Sequence, residues 1–279
     1  MWRQENGQLA LALSANWPFT PKHIVYPRQM RLDDEGFVRG QYASTGRLET
    51  RISVWQPDAH GRSPQDVALA ALAEAAPARL LEVGCGTGAL AARCAEELGC
   101  EVVALDSSPE MVAATRARGI EAVVGDVQRL PFDAATFDAG VAAWMLYHVP
   151  DRDRAIGELA RVLRPSGRLI AITTGRDHLA ELWQLVGAEK SEASFSRENG
   201  RAQLERHFEH VERHDVRSKA VFADRATAAS YLETLERGAL AERLPEFGEP
   251  LVAHGALAVF VASAPRAQPA ASQAGSIRP

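Results

Sequence analysis

Between residues 78 and 174 the apolar and polar positions fall into alternating blocks, and the blocks predict strands and helices in turn. Leu80-Leu81-Glu82-Val83 is a short apolar run that closes on glycines, the pattern of a first strand. Ala89 to Leu98 reads as a helix, since Leu90, Cys94 and Leu98 share one face at i, i+4 and i+8, and Gly99 ends it. Glu101 to Leu105 predicts a second strand closing on Asp106. Ser107-Ser108-Pro109-Glu110 supplies a serine cap and a first-turn proline, so a helix is expected through Met111 to Arg118, stopped by Gly119. Ala122 to Val124 predicts a third strand ending in Gly125-Asp126, and Ala139 to Ala143 and Leu169 to Thr173 predict two more. Such alternation defines an α/β chain with a parallel sheet. The first three strands bring glycine or an acid to the sheet edge where ligands bind.

The flanks are less regular. Asp177 to Gly187 places Leu179, Leu182, Trp183 and Val186 on one helical face, and Ala188 to Gly200 is polar and loop-like. Gln203 to Phe208 predicts a short helix, Val211 to Phe222 a strand, Asp224 to Leu235 a helix and Ala256 to Ala262 a final strand. Residues 1–62 stand outside the alternation and carry Trp2, Trp17, Tyr26, Tyr42 and Trp55, with a helix expected over Leu48 to Trp55. Pro265 to Pro279 is rich in Pro, Ala and Gln and is expected to lack order.

Chemistry concentrates in Gly84-Cys85-Gly86-Thr87-Gly88. Glycines there let the backbone turn sharply and let a ligand press against main-chain N–H groups, which makes a nucleotide-like cradle at a strand end. Gly84-x-Gly86-x-x-Ala89 also fits the dinucleotide fingerprint, so a nicotinamide coenzyme is the rival ligand. Glu82 before the glycines and Gly125-Asp126 after the third strand weigh against that rival.

Glu82 with the glycine loop, Asp106, Gly125-Asp126, Leu130-Pro131-Phe132, Phe137-Asp138, Met145 to Asp151 and Glu158 to Gly167 together resemble the class I S-adenosylmethionine-dependent methyltransferases. The likeness is to the small-molecule branch, which includes quinone-biosynthesis and natural-product enzymes. It spans roughly residues 65–175 and departs at Ser166, where glycine is usual. The resemblance implies a Rossmann-like sheet of seven mostly parallel strands, the last antiparallel, with helices on both faces and an N-terminal extension. It divides the chain into an extension or lid over 1–62, the methyltransferase domain over 63–264 with a lid insertion at about 176–204, and a tail over 265–279. It implies S-adenosyl-L-methionine as cofactor, no metal, and in-line transfer of a methyl group to an O, N or C atom of a small metabolite.

The resemblance also assigns roles by position. Gly84, Cys85, Gly86 and Gly88 are expected beside the amino-acid and ribose parts of the cofactor, and Glu82 is expected to orient their loop or to accept from the cofactor's ammonium. Asp106 is expected on the ribose hydroxyls, Ser107 and Met111 beside the adenine, and Gly125, Asp126 and Val127 around the adenine amino group. Trp144 and Tyr42 are expected to touch the cofactor; Arg47 and Arg51 are expected on a solvated helix face, with pairing of one of them to the cofactor's carboxylate as the alternative. His148, just past the fourth strand, is the candidate general base, with a structural hydrogen bond to the loop as the alternative. Tyr147 and Trp144 are further pocket residues.

Composition narrows the acceptor. Hydrophobic residues make up 46%, charged residues 24%, and the net charge of −5 argues against a broad nucleic-acid footprint. Ala142-Ala143-Trp144-Met145 lacks the Asn/Asp-Pro-Pro-aromatic pattern that clamps a planar base nitrogen. Nucleic-acid or protein methylation and cofactor binding without catalysis stay as alternatives. Cys85, Cys94 and Cys100 form no C-x-x-C pair and read as packing residues, which suits a cytoplasmic protein. No run is long enough to span a membrane; Leu9 to Ala15 is a short apolar stretch of the extension, with a signal peptide as the lesser reading.

Overall fold

The computed structural model describes residues 32–42, 45–56, 62–188, 193–235 and 237–266. The expectations for Trp2, Leu9 to Ala15, Trp17, Tyr26 and the C-terminal tail from 267 onward lie outside the described residues.

In chain order the elements are α1 (Glu35–Gln41), α2 (Thr45–Ser53), β1 (Trp55–Gln56), α3 (Pro64–Ala75), β2 (Arg79–Val83), α4 (Ala89–Leu98), β3 (Glu101–Asp106), α5 (Pro109–Ala117), β4 (Glu121–Val124) and β5 (Phe137–Ala143). After a short 3₁₀ turn at Leu146–His148 come α6 (Arg152–Val162), β6 (Leu163–Thr174), α7 (Ala180–Leu185), α8 (Gly200–Leu204), β7 (Phe208–Phe222), α9 (Arg225–Thr234), α10 (Gly238–Ala241) and β8 (Leu251–Pro265). The strands form one eight-stranded sheet in the order β1-β7-β8-β6-β5-β2-β3-β4. The pairs among β6, β5, β2, β3 and β4 are parallel, and β8 runs antiparallel between β6 and β7. The order reverses at β2, whose neighbours are β5 and β3, and in open α/β sheets that switch point is where ligands bind.

Period-2 alternation sorts the core onto the two faces. Leu81, Val83, Val103, Leu105, Leu169, Ala171 and Phe260 pack with Ile156, Leu159 and Ala160 of α6. Leu80, Val102, Ala104, Ile170, Ile172 and Val259 pack with Leu69 and Leu72 of α3 and Leu90 and Cys94 of α4. Local signals fix the helix ends in this region. Ser63 and Asp66 form a capping box at α3, Ser108 Oγ accepts from the Met111 amide at 3.4 Å, and Gly99 closes α4 in the left-handed region at φ 64°.

Three expectations are corrected. An eighth strand exists: the helix expected to reach Trp55 stops at Ser53, and Trp55-Gln56 pair with Ala220 and Lys219. Two residues are too short a run for periodicity to reveal, and only the partner strand makes them β. The helix expected over Gln203 to Phe208 is instead α8, Gly200–Leu204, and Phe208 opens β7. Its apolar spacing to Val211 imitates a helical turn, although both side chains are buried along a strand. Finally, β7 opens at Phe208 rather than Val211 and ends at Phe222 as expected, whereas β8, Leu251–Pro265, runs well beyond the strand expected over Ala256 to Ala262. Pairing with β6 ends at Leu257, so Leu251–Ala256 and their β7 partners Arg217–Phe222 overhang the sheet as an arm. Around it a separate core gathers Val54, Leu179, Leu182, Phe222, Tyr231, Leu232 and Leu240, contributed by the arm, α7, α9, α10 and the end of α2.

Candidate active site

The site grows from the turn between β2 and α4. Gly84, Gly86 and Gly88 all have positive φ, at 65°, 54° and 73°. A Cβ on Gly84 would lie 2.6 Å from Met145 Cβ, and one on Gly88 would lie 2.7 Å from Thr115, so neither position accepts a side chain. The Gly84 and Cys85 amides both donate to Leu105 O, at 2.7 and 3.2 Å, which ties the turn to the tip of β3. Asp106 continues the tie: Oδ2 accepts from the Gly86 amide at 3.0 Å and Oδ1 from the Ser108 amide at 2.9 Å. Burial raises the Asp106 carboxyl above its ordinary value, opposed by the amides of Ser108, Gly86 and Ser107.

Beneath the loop lies Thr115, which sequence reasoning missed. Its Oγ1 donates to Gly86 O at 3.0 Å, and its fully buried side chain abuts Gly88. The available signal was a threonine four residues after Met111 on the apolar face of α5. Arg118 adds a bond from Nε to Thr87 O at 2.8 Å. Cys85 is buried against Thr115, and burial pushes its thiol up to about 12, so it stays protonated and packs.

Glu82 lies on the α4 side of the sheet, only 3% exposed. The α4 cap is Gly88, which has no side chain to offer; the Ala91 amide donates to the Glu82 carboxyl instead. Among the described residues its Oε2 has no partner, and burial raises the acid to about 8, with the Asp106 charge acting in the same direction.

The positions expected around the adenine differ in exposure. Gly125 N donates to Asp106 O at 3.0 Å and Val127 is buried. Asp126 is exposed, and its carboxylate accepts from the Gln128 backbone and side chain. Ser107 is exposed, whereas Met111 is fully buried within the protein.

Residues 32–42 and 45–53 lie beside this edge. Leu48 of α2 reaches Gly86: its Cδ2 would stand 3.0 Å from a Cβ there. Ser108 Oγ donates to Tyr42 O at 3.4 Å, and Tyr42 Oη lies 3.0 Å from His148 Nε2. His148 Nδ1 is 2.8 Å from Leu32 O, a carbonyl that can only accept. Nδ1 therefore carries the proton, and Nε2 accepts from the Tyr42 hydroxyl. Desolvation lowers His148 to about 4, with the Arg51 charge adding to the drop, so the ring is neutral. A second tie joins Asp33, buried, to Arg152 at 3.2 Å. Arg51 stands 5.0 Å from the Tyr42 ring centroid and has no carboxylate partner among the described residues. Its charge also acts on Tyr147 and Tyr231. Arg47 instead donates to Gly40 O at 3.4 Å. Trp144, at the end of β5, is held in the left-handed region at φ 54°, a strained conformation for a bulky residue.

A parallel sheet with a glycine turn and acids at its switch point defines a nucleotide-type ligand fold. Comparison with known proteins specifies which. A family model described as a methyltransferase domain matches residues 81–171. An uncharacterized methyltransferase of Mycobacterium tuberculosis is 33% identical over 198 residues, covering 67% of this chain and 79% of the relative. A ubiquinone biosynthesis O-methyltransferase of Xanthomonas oryzae is 41% identical over 121 residues, 41% of this chain and 50% of that protein. Among solved structures, a chain from Bacillus halodurans C-125 assigned to the methyltransferases superposes with a TM-score of 0.52 at 19% identity, covering 67% of this chain and 93% of that one. The chain belongs to the S-adenosylmethionine-dependent methyltransferases. Among the described residues, no helix is long and apolar enough to cross a membrane.

Proposed function

We propose that this enzyme transfers the methyl group of S-adenosyl-L-methionine to a nucleophilic atom of a small metabolite. The observation that carries the cofactor reading is the positive-φ glycine turn whose Gly86 amide is held by Asp106 from the neighbouring strand tip. A cradle that a Cβ would fill, with a buried carboxyl oxygen still lacking a donor beneath it, fits a ligand carrying ribose hydroxyls and an ammonium.

The chain's own residues divide the work. Gly84, Cys85, Gly86 and Gly88 supply the cradle, Asp106 the ribose acceptor, and Ser107, Gly125, Asp126 and Val127 the adenine end. Asp126 must turn from Gln128 to serve it. Met111, buried, supports that end from within. Trp144 and Tyr42 border the methionine end. The bound cofactor supplies a sulfonium methyl that is open to nucleophilic attack. The protein's contribution is to align the acceptor and exclude water, effects worth several powers of ten in rate.

His148 fits a different role from the general base first expected. A neutral ring that donates to Leu32 O and accepts from Tyr42 is a strut holding the 32–42 segment closed. The acceptor pocket in this reading is walled by Tyr42, Arg51, Tyr147 and Tyr231, a set suited to a planar metabolite. Quinone-type methyltransferases among the relatives support a small acceptor. The test is methyl transfer from labelled cofactor to three acceptor pools: metabolite extract, RNA and protein. Label is expected in the metabolite pool; label confined to RNA or protein overturns the acceptor reading.

A further inference from the structure

We propose that Arg51, with the hydroxyls of Tyr147 and Tyr231, forms a subsite for an anionic group of the acceptor, so that the metabolite methylated here carries a carboxylate. The inference rests on the small-acceptor reading above and names the chemical class of that acceptor.

Arg51 follows Leu48 by three residues on α2, so the two side chains share a helical face. Leu48 reaches Gly86, which turns that face toward the site. The guanidinium stands 5.0 Å from the Tyr42 ring centroid, a cation against an aromatic ring. Its hydrogen bonds are long and go to neutral oxygens. Nε donates to Arg47 O at 3.4 Å, Nη1 to Gln41 Oε1 at 3.5 Å and Nη2 to Gln41 O at 3.5 Å, and no carboxylate pairs with it among the described residues. A half-buried cation without a counter-ion gains when an anion arrives.

The groups around this charge are donors. Tyr147 lies in the turn after β5, and Tyr231 lies on α9, which packs against α2. Burial raises both phenols well above neutrality, so each keeps its proton and can donate. Only their backbone carbonyls are engaged, by the hydroxyls of Ser194 and Thr234. The nearby acceptor is already used, since His148 Nε2 takes the Tyr42 hydroxyl. A guanidinium beside two phenolic donors matches a carboxylate, which offers acceptors alone.

The cofactor's own carboxylate is the rival partner. Against it, the Arg51 charge acts on Tyr42, Tyr147, Tyr231 and His148. Neither Glu82 nor Asp106, the acids at the glycine turn, is moved by it. Arg51 therefore belongs electrostatically to the aromatic wall rather than to the turn.

The experiment uses the full chain, S-adenosylmethionine with a labelled methyl group, and metabolite extract divided on an anion exchanger. Acceptor activity is expected in the fraction retained at pH 7. It should pass through when the extract is loaded at pH 2, where carboxylates are protonated. Arg51→Gln should raise the amount of the retained fraction needed for half-maximal rate by about 10- to 100-fold, with kcat changed far less. The same variant should bind S-adenosylhomocysteine within about twofold of wild type by calorimetry, because its contact is with the acceptor. Arg51→Lys should recover part of the loss, since the charge returns without the fork. The exchanger result needs wild-type protein alone and decides the matter if the variants do not fold. Acceptor activity that passes through at pH 7 or stays bound at pH 2 overturns this inference alone. So does an unchanged acceptor requirement in Arg51→Gln, or a loss of S-adenosylhomocysteine affinity as large as the loss for the acceptor. Absence of label from every metabolite fraction overturns the small-acceptor reading and the inference with it.

Discussion

The His148 strut yields a quantitative test of how the 32–42 segment is held. In the folded protein burial brings the imidazole down to about 4 from its ordinary 6.5, with Arg51 adding to the drop and Asp33 and the Leu32 carbonyl opposing it. The folded value is depressed, so as pH falls the unfolded chain takes up a proton first. Stability from this group is present above pH 6.5 and is lost as pH falls toward 4. A shift of that size amounts to about 3 kcal/mol over the full window, with about 2 kcal/mol already lost by pH 5. His148→Gln, which cannot titrate, removes this dependence. The assay is urea unfolding of both proteins, without ligand, between pH 7 and pH 4. The advantage of wild type over variant should shrink by about 2 kcal/mol between pH 7 and pH 5. Comparing the two proteins cancels the carboxylates that also titrate in that range. Parallel profiles, or an advantage that grows toward acid, refute the picture of a neutral, desolvated ring.

Asp106→Ala should weaken S-adenosylmethionine binding by about 10- to 100-fold, from the loss of charge-assisted bonds of about 1.5–3 kcal/mol, while the protein stays folded. Unchanged affinity by calorimetry would remove Asp106 from the site. Gly84→Ala places a Cβ 2.6 Å from Met145 Cβ at φ +65°. It should cost about 3 kcal/mol, from left-handed strain plus overpacking, read as a lowered melting temperature. Tyr42→Phe leaves His148 Nε2 without its donor and should destabilise the ligand-free protein by about 1 kcal/mol by urea unfolding. It should also speed cofactor association in stopped-flow, because the Tyr42 carbonyl is tied to Ser108 and Leu48 reaches Gly86, beside the cradle. An unchanged association rate would mean that the strut does not gate entry.

How much of this was legible beforehand follows the range of the interactions involved. The α4 boundaries, the Ser108 cap and the acid at the end of β3 are set by residues within a few positions of one another, and the sequence reading of 78–174 anticipated them closely. The cradle was legible for the same reason: spaced glycines between an apolar run and a helix have few other uses. What could not be read is non-local. Thr115 supports Gly86 from 29 residues away, and His148 meets Leu32 across 116. The two-residue β1 exists only because the β7–β8 arm offers an edge. The β7 half of the arm was legible, because every second side chain over Val216–Phe222 is buried, whereas its β8 half, Leu251–Gly255, and the start of β7, where Phe208 and Val211 keep a spacing of three, were not.

On the proposed reading, the same division of range separates the cofactor side of the site from its acceptor side. The cofactor half is built from strand tips inside the cooperative sheet, where Leu80, Leu81 and Val83 are fully buried, so its geometry is fixed by the main core. On that reading the acceptor side takes Arg51 from α2 and Tyr231 from α9, and Tyr231 belongs to the separate core around the overhanging arm. Where Val54, Phe222, Tyr231 and Leu232 meet, side chains can change without touching the sheet that holds Glu82 and Asp106. If the acceptor pocket lies there as proposed, acceptor choice can drift while the glycine turn stays constant. Residues that join the halves carry both constraints at once. Tyr42 is such a residue: its carbonyl accepts from Ser108 at the α5 cap, its hydroxyl donates to His148, and its ring lies beneath Arg51. A change there couples donor binding, closure and acceptor fit, which makes Tyr42 the position where the two halves are least separable.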